Sequence, residues 1–174
     1  MENTKTFKKS RGQAFVEFVL SRMKDDSAFG AALRRADNPA TEYQSWEYLI
    51  RGGCDLDKDW ERRPFATVAA AIAHAKPGTD GTLGIGKAIA ACYPEDGNRS
   101  DSAKSKLRRL LACDSVKEAC AILRPLLNLI ASREVRLGYG QLLNELVYFG
   151  DGEKIKVKWA VDFYGRREND SIRA

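Results

Sequence analysis

Residues 102–132 read SAKSKLRRLLACDSVKEACAILRPLLNLIAS, and this stretch decides the fold class. Ala103, Leu107, Leu110 and Leu111 recur at helical spacing and share one face of a first helix. At about 100° per residue, Lys104, Lys106, Arg108 and Arg109 fan out over the rest. The helix therefore offers a leucine seam to a core and a four-cation face to water. Asp114 or Ser115 then caps a second helix by accepting a hydrogen bond from its free N–H groups. In that helix Val116, Ala119, Cys120, Leu123, Leu126, Leu127 and Ile130 form a wide apolar stripe. Two helices joined by so short a turn are expected to pack antiparallel, at the centre of a helical bundle.

Working outward, the same periodicity recurs along the chain. Helices are expected from Gln13 to Met23, over 27–36, over 41–51 with Tyr43, Trp46, Leu49 and Ile50 inward, and over 65–76, with Pro64 in the first turn. Further helices are expected over 86–93, 139–149 and 153–164, the last burying Ile155, Trp159, Ala160 and Phe163. Met1 to Arg11 is a basic arm that includes Lys5, Lys8 and Lys9, and the tail RRENDSIRA is polar. No segment alternates with period two, so the expectation is an all-α bundle of eight or nine short helices. The stretch KPGTDGTLG, 76–84, is dense in glycine and proline and reads either as a hinge or as a long loop. As a hinge it divides the chain into helical lobes at 1–80 and 81–174, unless the two form one continuous domain.

Composition bounds the function. The chain has 174 residues, 30% of them charged and 44% apolar, which suits a soluble globular protein. Lys and Arg outnumber Asp and Glu by 29 to 24, a net charge of +5 that modestly favours a polyanionic partner. Cys54, Cys92, Cys113 and Cys120 form no Cys-x-x-Cys pair and read as reduced, buried thiols. No apolar h-region follows the basic N-terminus, and no apolar run is long enough to span a bilayer, so a cytoplasmic protein away from membranes is expected.

Catalytic and metal-binding readings are weak. His74 is the single histidine, so neither a Ser-His-Asp constellation nor a histidine zinc site has material to draw on. No cofactor is expected. Asp55, Asp57 and Asp59 lack the glycine and distal glutamate of a calcium loop. The run GTLGIGKA, 81–88, nearly fits the phosphate loop G-x-x-x-x-G-K-[ST], but Ala88 lacks the hydroxyl that holds Mg²⁺ and a helix, not a strand, precedes it. A glycine-rich loop feeding a helix beside Lys87 remains a possible seat for one backbone phosphate.

The basic residues carry the functional reading. Arg34, Arg35, Lys87, Lys104, Lys106, Arg109 and Arg124 all fall on amphipathic helices or at their starts. Each cluster alone reads as a solubilising face. Converging on one surface, they would follow a nucleic-acid backbone without reading its bases.

The order of several motifs is similar to one family. LGIGKAIA, AKSKLRRLLACDS, ACAILRPLLNLIAS and LGYGQLLNELVYFGDGEKIKVKWAVDFYG resemble the CasB family, the small subunit of the type I-E CRISPR Cascade complex. The family's positions are filled by Lys87, by Lys106 with Leu110 and Leu111, by Leu123 and Arg124 with Leu126 and Leu127, by Tyr139 and Gly140 with Leu142 and Leu143, and by Trp159, Phe163 and Tyr164. Ala31 to Ala36 and Trp46 match its N-terminal half, so the resemblance runs from about Gln13 to Tyr164. Pro125 departs from the pattern: it stands where the family has a basic or polar residue, and it is expected to kink or split its helix. The resemblance implies a non-catalytic, all-helical protein of two lobes. Its implied partners are the backbone and large Cascade subunits, a second copy in tandem, the guide RNA, and target DNA including the displaced strand. Two rivals stand beside it: an adaptor whose charges only solubilise it, and a nucleotide-binding enzyme using GTLGIGKA.

Overall fold

A computed structural model describes residues 8–165; Lys5 of the basic arm and the tail 166–174 lie outside the described residues. Nine α-helices occur among the described residues: α1 (Arg11–Met23), α2 (Ser27–Leu33), α3 (Trp46–Arg51), α4 (Asp59–Ala75), α5 (Ile85–Ala91), α6 (Asp101–Leu111), α7 (Val116–Ser132), α8 (Tyr139–Val147) and α9 (Lys154–Tyr164). Short 3-10 turns occupy Glu42–Ser45 and Gly97–Arg99. The only β feature among the described residues is one isolated parallel bridge between Leu83 and Leu137. The fold is all-α, as the periodicity required.

The centre of the bundle is α4, rather than the α6–α7 pair. Every residue from Pro64 to Ala73 is buried. Alanine fills much of that run, and its small side chain lets α7 and α8 approach closely from different sides. α1 lies along α8, and α5 along α9. One apolar cluster runs without interruption from Phe15 of α1 to Phe163 of α9.

Two prolines behave differently from expectation. α4 begins at Asp59, a turn and more ahead of Pro64, because the missing N–H of Pro64 deprives only the carbonyl of Trp60, and Trp60 is exposed to water. α7 likewise runs unbroken through Pro125, so the expected split does not occur. The carbonyl that Pro125 cannot serve belongs to Ala121, again an exposed residue.

The helix expected over 41–51 is a 3-10 turn followed by the short α3. Leu49 is buried, but Tyr43, Trp46 and Ile50 are 60%, 40% and 57% exposed. A 3-10 turn advances by three residues, so the spacing that seemed to align Tyr43 with Leu49 is broken at Ser45. Elsewhere local capping follows the sequence. Ser10 and Gln13 form a capping box on α1, Asp26 caps α2, and Ser100 caps α6. Ser115, not Asp114, caps α7 by accepting from the Glu118 N–H.

The 76–84 segment is a pinned loop. Gly81 N–H donates to the Leu137 carbonyl at 3.1 Å and Gly138 N–H to the Leu83 carbonyl at 2.8 Å. A side chain at Gly81 would run into the Arg136 backbone, so glycine is needed for this approach. The same holds where α1 meets α8: a Cβ at Gly12 would collide with the carbonyl of Gly140, and Gly12 N–H donates to Asn144 Oδ1 at 2.8 Å.

Candidate nucleic-acid interface

α6 is oriented by its leucine seam. Ala103, Leu107 and Leu110 are wholly buried, which turns Lys104, Lys106, Arg108 and Arg109 outward or to the margin. Ser100 Oγ fixes the start by accepting from Ala103 N–H at 3.3 Å. Arg108 and Arg109 fall in the last turn, where the helix dipole favours cations. No carboxylate lies within ion-pairing distance of these four side chains among the described residues.

Lys106 and Arg109, one turn apart, form one wall of a groove between α6 and α7. The groove holds about 260 Å³, and Ile122, Pro125, Leu126 and Leu129 line the other side. Two further cations lie within electrostatic reach. Burial pushes the Cys92 thiol up, while Arg133 and Lys106 pull it down. Burial, with the Glu118 and Asp114 carboxylates, raises the Cys113 thiol, against Lys156 and Arg109. Arg133 thus lies near Cys92 together with Lys106, and Lys156 near Cys113 together with Arg109. Arg133 follows α7 and Lys156 lies on α9 between Lys154 and Lys158, and no linear pattern ties either to α6.

The other expected phosphate contacts are dispersed. Arg34 closes α2 and lines a separate groove of about 420 Å³ with Lys24 and Lys76. Arg35 donates to Gln44 Oε1 at 2.9 Å. Arg124 turns back onto Asp37, Nε to Oδ2 at 3.0 Å, and part of its charge is neutralised there. Lys87 is exposed in the first turn of α5, but its backbone N–H donates to Asp162 Oδ2 at 2.9 Å. The expected phosphate seat at the start of α5 is thus filled by a carboxylate of α9. The glycines of GTLGIGKA serve packing: a Cβ at Gly86 would lie 2.5 Å from the Trp159 carbonyl and 2.6 Å from the Phe163 nitrogen.

His74 is exposed at the end of α4, and no cluster of three or more metal-ligating side chains occurs among the described residues. The DLDKD run is engaged in ion pairs, Asp55 with Lys58 and Asp59 with Arg62. The hydrogen bond from Lys58 holds the Asp55 carboxyl below its ordinary range. No helix of the described residues is long and apolar enough to cross a membrane.

Residues 30–164, more than three quarters of the chain, match the model of the CRISPR-associated protein Cse2 family. The chain belongs to the Cse2 family. Solved structures agree with that assignment. The chain is similar to CasB from M. ruber, with 26% identity, a TM-score of 0.73, and coverage of 96% of this chain and 100% of that one. It also shares the fold of a second solved relative, a CRISPR-associated protein of the Cse2 family from Thermus thermophilus, at 22% identity and a TM-score of 0.74, covering 91% and 100%. CasB from Thermus thermophilus superposes with a TM-score of 0.68 at 24% identity, over 91% and 100%. No curated protein matches the chain in sequence. A Cse2 fold in this chain accounts for the buried stripes of α6, α7 and α8, which are the motifs that carried the CasB resemblance.

Proposed function

We propose that this chain is the non-catalytic small subunit of a type I-E Cascade complex and that it grips nucleic-acid backbone through α6. Family membership supports the setting. The observation that carries the grip is that Lys104, Lys106, Arg108 and Arg109 share one helix with no carboxylate at ion-pairing distance among the described residues. Cations without carboxylate partners are free to displace the counterions of a polyanion. Arg34, Arg35, Lys87 and Arg124 are secondary contacts in this reading. Its partners are the backbone and large subunits, a second copy of this chain, guide RNA, and target DNA with its displaced strand. R-loop formation is a near-balanced exchange of one duplex for another, so a few phosphate contacts suffice to tip it.

The test is charge reversal in the assembled complex. Lys106→Glu with Arg109→Glu is expected to shorten R-loop lifetime several-fold at low salt, with the deficit narrowing as salt is raised. The slope of log affinity against log salt should become shallower by about 0.9 for each phosphate that is no longer neutralised. Unchanged retention at every salt concentration would leave the adaptor reading, in which the charges only solubilise the subunit.

A further inference from the structure

The groove beside Lys106 and Arg109 is more than a charged strip. Ile122, Pro125, Leu126 and Leu129 stand at i, i+3, i+4 and i+7 on α7, forming a second apolar row beside the one that faces α4. Among the described residues nothing covers this row fully: Pro125 is exposed, and Ile122 and Leu129 are half-buried. A surface meant only for phosphates gains nothing from an uncovered aliphatic floor. A wholly apolar partner would leave the two rim cations, which have no carboxylate partner among the described residues, unanswered. One ligand unites both chemistries: a nucleotide, with a flat apolar face and an anionic phosphate at its edge.

We propose that this groove seats one unstacked base of single-stranded DNA, with the flanking phosphates on Lys106 and Arg109. The volume of about 260 Å³ accommodates a single base. The ring of Pro125 extends the floor. The groove presents no polar side chain besides Lys106 and Arg109, and a thymine methyl fits its aliphatic floor. This inference rests on the backbone grip proposed above and adds a base to it.

The probe is a fluorescent ten-nucleotide oligothymidylate, compared with an abasic oligomer of the same length and charge, on the full-length chain by anisotropy. Thymidylate is expected to bind severalfold more tightly, from burial of one base face on the aliphatic floor. Ile122→Asn with Leu129→Asn, which alters no charge, should bring thymidylate down to the abasic level and leave abasic binding unchanged. A 4-thiothymidine oligomer should crosslink to residues 122–129 of the unmodified chain, a readout that needs no variant to fold. Equal affinity for the two oligomers would overturn the base seat while leaving the backbone grip standing, provided Lys106→Glu with Arg109→Glu weakens both. Loss of neither on charge reversal would overturn the grip and the seat together. Oligouridylate binding as tightly as thymidylate would overturn the assignment to DNA, and crosslinks confined to other helices would overturn the location.

Discussion

The carboxylate of Asp80 caps a helix that begins 59 positions later: its Oδ1 accepts from Tyr139 N–H at 2.7 Å. Its Oδ2 accepts from Gly140 N–H at 3.1 Å, so one side chain satisfies two of the free donors at the start of α8. Gly138 occupies the cap position and has no side chain to do this itself. Replacing Asp80 by Ala should therefore destabilise the protein by about 1–2 kcal/mol, the usual cost of a missing cap. Asn should recover part of that stability. Urea unfolding followed by helical circular dichroism would show both.

Tyr139 gives the same corner a pH dependence. Burial, reinforced by Asp80, pushes its phenol from 10 up to about 12. Below pH 10 the phenol is protonated in the folded and unfolded chain alike, and its contribution is fully present. Between pH 10 and 12 the unfolded chain gives up its proton first, so stability falls as pH rises, by about 2 kcal/mol. Tyr139→Phe should flatten that part of the alkaline stability curve, measured as urea midpoint against pH.

Glu145 is buried and serves three groups. It accepts from Trp159 Nε1 at 2.6 Å and Gln141 Nε2 at 2.9 Å, and it pairs with Lys158 Nζ at 2.7 Å. Glu145→Ala strands the indole N–H in the core and should cost about 3 kcal/mol, combining the broken bonds with an unsatisfied donor. Lys158→Met leaves both neutral donors in place and should cost much less. Thermal unfolding of the two variants would rank them.

Helix content was legible because the apolar positions of α6, α7 and α8 repeat at helical spacing. What periodicity does not reveal is which stripe the rest of the chain will cover. Tyr43, Trp46 and Ile50 form a row as regular as many core rows, yet only Leu49 beside them is enclosed. The centre was misplaced for a related reason. The alanines of α4 have little hydrophobic signal individually, but their small size lets two helices pack against them. At the site, Lys106 and Arg109 were legible as neighbours on one helix. Contacts between residues far apart in sequence were not: Asp162 filling the start of α5, or Asp37 taking up Arg124 from 87 positions away.

That last pair separates two arginines that look alike in sequence. Arg109 has no carboxylate partner among the described residues, whereas the fork of Arg124 is engaged with Asp37. Arg109→Gln should weaken polyanion binding several-fold, and Arg124→Gln by less than half as much. Asp37→Asn should release Arg124 and raise affinity modestly. Titrations of all three with one oligonucleotide at a single salt concentration would test the order.

The thiols should be silent. Burial pushes Cys54 up to about 12 and Cys120 up to about 11, and raises Cys92 and Cys113 as well. Thiolate is the reactive form, so at pH 8 a thiol reagent should modify the native protein slowly and the urea-unfolded chain at all four sites.

The meeting of Gly12 with Gly140 bears on how family members can be recombined. α1 and α8 touch there backbone to backbone, so the junction depends on what is missing from both residues. A hybrid that takes its opening helix from one homologue and its later helices from another will assemble only if neither parent brings a larger residue to that crossing. The two positions are thus a compatibility test that a breeder of chimeric subunits should apply before choosing where to splice.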